Sequence, residues 1–358
     1  MLYIIPIEPI PDRYPIHWYK YLPLFISNHV EREQLEIDMS VPSNNDGAFF
    51  NFNFTNKYKA AQLMVLSDWI QLGKIKNGDT FFYTDYWNPT VHQLRYMLDV
   101  NGLVDCKIVG FAHAGDWDPS DILHQRLVNK QWSIATEKSL HFAFDEIYFS
   151  TKFARDLYAS NVIDDHRLVV TGFPMEYYDE VMPIEHVEKE DIVVFPHRIA
   201  DEKNVILFRL ISQILPQYKF VIAQEACKTK QEYHTLLFKS RVAFSAALQE
   251  TGGISMGIEA VRAGCIPVVP LRLSYAEIFA DNPYAYSGNV ANEVVTDINH
   301  PDVIFLADMI DNAMHASRNI SSQRIVRNIY ESNQRLFFTG DRLYTHLKGI
   351  SNAITNNG

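Results

Sequence analysis

Short runs of β-branched and aromatic residues alternate along this chain with longer stretches whose apolar residues recur at helical spacing. LYIIPI (2–7), LEIDM (35–39), TFFYTD (80–85), KIVGFAH (107–113), EIYFST (146–151) and RLVVTG (167–172) read as strands. Between them lie helix-like segments such as Lys57–Leu72 and Pro119–Phe142. A second series, IVVF (192–195), KFVIAQ (219–224), VAFSAAL (242–248) and CIPVVP (265–270), follows the polar, Pro-containing segment PMEYYDEVMPIEHVEKED. Alternating strand and helix patterns predict parallel sheets, so the chain is expected to be α/β, with two Rossmann-like parallel-sheet domains facing across a cleft. The expected boundaries are a first domain over 1–173, a linker over 174–190, a second domain over 191–335, and a helix or tail over 336–358 that packs back on the first.

Length agrees with that division, because 358 residues at 47% hydrophobic content exceed one ordinary core. The amino terminus, MLYIIPIEPI, lacks a basic leader and is broken by Pro6 and Pro9, so it reads as a first strand. No run approaches the ~18 uncharged apolar residues of a membrane span, and no membrane insertion is expected. Cys106, Cys227 and Cys265 lie far apart in apolar surroundings, which fits buried thiols in a reducing cytoplasm. The formal net charge is −11, with 15 Lys+Arg against 21 Asp+Glu over residues 1–175. Neither half is a basic nucleic-acid module, although a local cationic groove stays open.

In parallel sheets, ligands gather at the carboxyl ends of strands. FPHRIADEKN places Arg198 and Lys203 at such an exit, where they suit an anion. LQETGGISMGIEAVRAGCIPVV (248–269) follows the next strand but one. Its Gly252 and Gly253 allow close backbone approach, and the N–H groups of the helix beyond suit a phosphate. Glu250 and Glu259 bracket that turn, and carboxylates there suit sugar hydroxyls better than a phosphate. Taken alone, the two basic residues read as solvated loop charges and the two glycines as a turn.

HRIADEKN resembles the G-R-L-x-x-E-K-G stretch of GT-B glycosyltransferases of the retaining family-four type, with Arg198, Ile199, Glu202 and Lys203 in register. ETGGISMGIEAVRAGCIPVV resembles the same family's E-G-F-G-x-x-x-x-E-A-x-A-x-G-x-P-V-V, matching at Glu259, Ala260, Ala263, Gly264, Pro267, Val268 and Val269. The resemblance implies a glycosyltransferase that moves a sugar from a nucleotide diphosphate to a hydroxyl, with retention. UDP-sugar is favoured over GDP-sugar as co-substrate, and no metal or other cofactor is expected. It assigns Arg198, Lys203, Gly252 and Gly253 to the diphosphate, and Glu250, Thr251, Ser255 and Glu259 to the donor sugar and ribose. The family sets seven residues between its glutamates, whereas eight separate Glu250 from Glu259. Either the loop bulges by one residue and still presents Glu250, or Thr251 takes its place.

In the first domain, His113 ends a predicted strand, at a place where the family often has a histidine facing the transferred sugar. It joins Glu250 as a candidate catalytic group; the plainer reading is a satisfied core histidine. The family's amino-terminal Gly-Gly loop is missing, and Glu8 to Tyr14 occupies its place. Asp116-Trp117-Asp118 superficially matches a metal-binding D-x-D, but its position between Gly115 and Pro119 favours helix entry. RYPIHWYKY (13–21) is either an amphipathic helix burying Trp18 or an acceptor platform. The acceptor candidates are thus Glu8, Arg13, Tyr14, Trp18 and Lys20. IPIEPIPDRYPIHWY also resembles, more weakly, the amino termini of glycosyltransferases from T4-like bacteriophages. Duplex DNA carrying a hydroxylated or hydroxymethylated pyrimidine is therefore the expected acceptor, with Lys57 and Lys59 added to the basic groups. A bacterial glycan or glycolipid precursor is the rival, and an inactive sugar-nucleotide-binding module a further alternative. No obligate protein partner is implied.

Overall fold

A computed structural model describes residues 1–11, 13–39 and 51–353. Its contacts divide the chain into two units. The first comprises Met1–Ser150, Ala154–Tyr177 and Gly340–Gly358, the second Thr151–Phe153 and Tyr178–Thr339.

The first unit is built on a six-stranded sheet: β1 (Leu2–Ile5), β2 (Arg32–Gln34), β3 (Thr80–Tyr83), β4 (Lys107–Ala112), β5 (Glu146–Phe149) and β6 (Leu168–Val170), in the order β2-β1-β3-β4-β5-β6. Every pairing is parallel. The inner strands are mostly apolar, as expected of a parallel sheet with both faces covered. β2 is the exception to the expected pattern. The strand is Arg32-Glu33-Gln34, just ahead of LEIDM, and it lies at the sheet edge, where polar side chains are tolerated. The expected helix over Pro119–Phe142 is two helices, Ile122–Arg126 and Lys130–Ala143. The carboxyl-terminal helix Asp341–Ala353 belongs to this unit, and Tyr344 stacks on His29.

The second unit carries β7 (Glu190–Phe195), β8 (Lys219–Ile222), β9 (Ser240–Phe244), β10 (Ile266–Leu271) and β11 (Ala285–Ser287), again all parallel, in the order β11-β10-β9-β7-β8. Strand register decides where the connecting loops collect. Ile5 pairs with Tyr83 and Tyr83 with Gly110, so the chain after β1, β3 and β4 emerges from one edge of the first sheet. Val194 pairs with Ala243, which does the same for β7 and β9 in the second.

Candidate functional site

In the second unit the chain leaves β7 through Pro196 and His197, makes a 3-10 turn at Asp201–Lys203, and enters the helix Val205–Ile214. The hinge of that turn is Asn204, in the left-handed region at φ 57. Asparagine is among the few non-glycine residues that tolerate this conformation, and the family pattern has glycine here. The turn draws Lys203 inward until it is 7% exposed. Its ammonium donates to the carbonyl of Gln249 and, at 3.3 Å each, to Gln249 Oε1 and Glu250 Oε2. Arg198, four residues before Glu202, pairs with it.

The partner loop follows β9. Glu250 Oε1 accepts from Gly253 N at 2.8 Å and from Gly252 N at 3.3 Å. The carboxylate therefore sits where two backbone N–H groups and Lys203 converge. Burial pushes the Glu250 carboxyl up, but the charge of Lys203 and the Gly253 hydrogen bond hold it below its ordinary value. Gly253 has φ +68, and a Cβ there would lie 2.4 Å from Ile278 Cδ1, so a side chain would strain the backbone and force Ile278 to shift.

Ser255–Ala260 is a π turn. A π turn takes up one residue more than an α turn. Glu250 lies against Lys203, while Thr251 offers its carbonyl to Thr151 Oγ1 at 2.9 Å. Ser255 opens the π turn. Glu259, inside it, is 2% exposed and accepts from three donors: Lys230 at 2.5 Å, Tyr178 at 2.7 Å and Tyr233 at 2.8 Å. Burial alone would raise this carboxyl, yet the Lys230 charge and the three hydrogen bonds bring it down to about 2. Tyr178, Lys230 and Tyr233 belong to no motif and were not anticipated. Beneath the loop, His197 Nε2 meets Ser245 Oγ at 2.8 Å. Burial and the nearby Lys203 charge depress its pKa to about 3, so the ring is neutral.

In the first unit, His113 leaves β4 and sets Nε2 2.7 Å from the carbonyl of Thr84, which assigns the ring proton to Nε2. Tyr14, Trp18, Phe111 and Phe173 surround the ring, and burial pushes its pKa down to about 4. Residues Tyr14–Ser27 form a helix with Trp18 1% exposed and its indole N–H on the Pro174 carbonyl at 2.9 Å. Trp18 is thus a core residue and not a stacking platform, because its ring completes the aromatic cluster around His113. Lys59 is corrected likewise. It is 6% exposed and forms an ion pair with Asp85 at 2.6 Å, so it offers no charge to a phosphate. Arg13 is half-buried; Lys20 is exposed and donates to Tyr21 OH at 3.0 Å. Glu8 is 1% exposed, with Oε1 accepting from Thr55 Oγ1 at 2.5 Å.

Asp116 and Asp118 are turn residues. Asp116 Oδ1 binds His124 at 3.0 Å and Lys130 at 3.2 Å, Asp118 Oδ1 accepts from Ser120 N, and Asp121 caps the following helix. Among the described residues, no group of three or more His, Cys, Asp or Glu could hold a metal ion. Also among them, no helix is long and apolar enough to cross a membrane.

No family model matches the sequence, and no curated protein matches it. Solved structures do resemble the fold. A glycosyltransferase from Rickettsia africae matches over 100% of this chain and 98% of its own, with TM-score 0.63 and 14% identity. Sucrose-phosphate synthase from Thermosynechococcus elongatus matches over 100% and 99%, with TM-score 0.62 and 10% identity. HepE from Anabaena, solved in complex with UDP-glucose, matches over 99% of both chains, with TM-score 0.53 and 10% identity. At such identities the likeness establishes the fold, which is that of GT-B glycosyltransferases.

Proposed function

We propose that this chain is a nucleotide-sugar-dependent glycosyltransferase that binds the donor diphosphate in the second unit, at the carboxyl ends of β7 and β9. One observation carries the reading. Lys203 and the N–H groups of Gly252 and Gly253 converge on a single carboxylate, that of Glu250, and so form a built anion cradle. HepE, similar in fold, was solved with UDP-glucose, which supports a UDP-sugar as donor.

In the reaction, the bond from the sugar's anomeric carbon to the β-phosphate oxygen breaks and its electron pair leaves with the diphosphate. Lys203, the loop N–H groups and Arg198 stabilise that charge as it develops. The acceptor hydroxyl bonds the anomeric carbon and its proton passes to the departing diphosphate. Retention follows from that same-face route, and the family-four-like motifs around Arg198 and Glu259 support it. Glu259, already taking three hydrogen bonds, is the ribose ligand, with Lys230 or Tyr233 yielding its place to a ribose hydroxyl.

For the acceptor, a sugar hydroxyl is favoured over modified DNA. Trp18 is in the core and Lys59 is paired, leaving Arg13, Lys20 and Lys57 as a sparse basic set on an acidic chain. Calorimetric titration with UDP and GDP tests the donor assignment. Saturable UDP binding that weakens in Lys203→Ala is expected, and equal affinity in that variant would remove the cradle reading.

A further inference from the structure

The first unit contains a cavity of about 240 Å³ at the carboxyl ends of β1 and β3, lined among others by Glu8, Thr55, Asp85, Trp87, Asp121 and Trp132. That volume lies just below the ~300–1,000 Å³ of drug-sized ligand sites, so it suits one small ring.

Its chemistry is lopsided. Three carboxylates, Glu8, Asp85 and Asp121, face one ammonium, Lys59, and that ammonium is committed to Asp85 at 2.6 Å. Among the described lining residues carboxylates outnumber ammonium groups, which disfavours an anionic ligand. Glu8 adds a specific demand. It is 1% exposed, and while Oε1 is held by Thr55, Oε2 has no hydrogen-bond partner among the described residues. A buried carboxylate oxygen left without a donor is costly, so a ligand that supplies an O–H there gains a charge-assisted bond. The aromatic walls complete the picture. Trp87 is fixed by its indole N–H on Glu137 Oε1 at 2.8 Å, and Trp132 is 52% exposed at the start of the helix Lys130–Ala143. Indoles beside carboxylate oxygens set an apolar face next to groups that accept from hydroxyls.

We infer that this cavity binds a neutral polyhydroxylated ring, a sugar with a hydroxyl on Glu8 Oε2 and a C–H face against indole, and that it discriminates against phosphorylated acceptors. The inference rests on the glycosyltransferase reading for its role as the acceptor site. The ring it holds is then the molecule that receives the transferred sugar.

The experiment is saturation-transfer difference NMR on the full chain, with and without saturating UDP. The probes are neutral methyl glycosides (gluco, galacto and manno), glucose 6-phosphate, and a duplex containing hydroxymethylcytosine. At least one neutral glycoside should bind, more tightly than the phosphorylated sugar. Glu8→Gln should weaken that binding roughly tenfold or more, and the surface variant Trp132→Ala roughly two- to tenfold. Binding of the phosphate or the duplex in preference, silence from all three neutral glycosides, or neutral binding indifferent to both variants would overturn the inference. The donor reading fails separately, through loss of UDP binding in a parallel calorimetric titration, because Lys203 and the Gly252-Gly253 loop belong to the other unit.

Discussion

Lys203 Nζ and Glu250 Oε2 lie 3.3 Å apart, so the cation assigned to the donor diphosphate is already holding an anion supplied by the protein. Glu250 behaves as a resident substitute for phosphate: it neutralises a buried ammonium and caps two backbone N–H groups. On the proposed donor site, the diphosphate displaces it and frees a carboxylate beside the incoming sugar. Glu250→Gln keeps an acceptor for Gly253 N but removes the competing charge. UDP should therefore bind several-fold more tightly to this variant while sugar transfer falls. The unliganded variant should melt earlier, with UDP restoring more than the wild-type increment. Weaker UDP binding to Glu250→Gln, measured calorimetrically, would contradict the displacement.

Charge on the cradle has a calculable reach. Hydrogen bonds to charged groups contribute on the order of 1.5–3 kcal/mol, so Lys203→Ala should weaken UDP binding by about ten- to a hundredfold. Arg198→Ala should do so by less, since its guanidinium is about one-third exposed and engaged with Glu202. If Arg198→Ala costs more than Lys203→Ala in the same titration, the ranking is wrong and Arg198 is the principal diphosphate ligand.

Gly253 connects backbone conformation to this chemistry. A side chain there combines a left-handed φ of +68, costing about 1–2 kcal/mol, with a Cβ 2.4 Å from Ile278 Cδ1, and overpacking adds about 1–3 kcal/mol. Gly253→Ala should lower the denaturation midpoint clearly. Gly252→Ala, where the nearest neighbour of a Cβ is Ile254 at 3.8 Å, should lower it far less. Equal losses in chemical denaturation would mean the loop rearranges.

Much of this was legible in the sequence because the signals were local. Every inner strand of both sheets overlaps an apolar run, whereas the two that escaped lie at sheet edges. Ala285–Ser287 is three residues long and carries no run of its own. LEIDM was displaced from the real strand because edge pairing of Arg32-Glu33-Gln34 is a backbone matter that polar side chains do not advertise. Arg198, Lys203 and the two glutamates were found by motif. The Tyr178, Lys230 and Tyr233 donors on Glu259 could not be, since they come from two other helices, Tyr178–Val181 and Lys230–Lys239, across 26 to 81 residues of chain. Trp18 could have been either wall or core from its spacing, and contacts distant in sequence, to His113, Phe173 and the carbonyl of Pro174, show which. Asp85 and Trp87 follow β3 directly, so the strand-exit rule that picked out Arg198 reaches them as well.

Stability should depend on pH in two opposing ways. His113 and His197 have folded values of about 4 and about 3 against an ordinary 6.5, so their contribution is complete above pH 6.5 and lost as pH falls towards those values. Glu137 is the reverse: burial pushes it up to about 7 from 4.5, so its contribution is complete below pH 4.5 and lost as pH rises through about 7. Glu137→Gln removes the second effect alone. Its melting temperature relative to wild type should therefore climb as pH rises from 4.5 through about 7. Parallel curves for the two proteins across that range would show that Glu137 does not titrate there.

Sugar transfer from a nucleotide diphosphate is tested most directly by mass spectrometry of reactions containing UDP-sugars, neutral glycosides and modified duplex DNA, with released UDP quantified alongside. The expected result is a neutral glycoside heavier by one sugar, in step with UDP release, and strongly reduced in Lys203→Ala. Neither UDP release nor a heavier acceptor with any donor, or full turnover in Lys203→Ala, would contradict it.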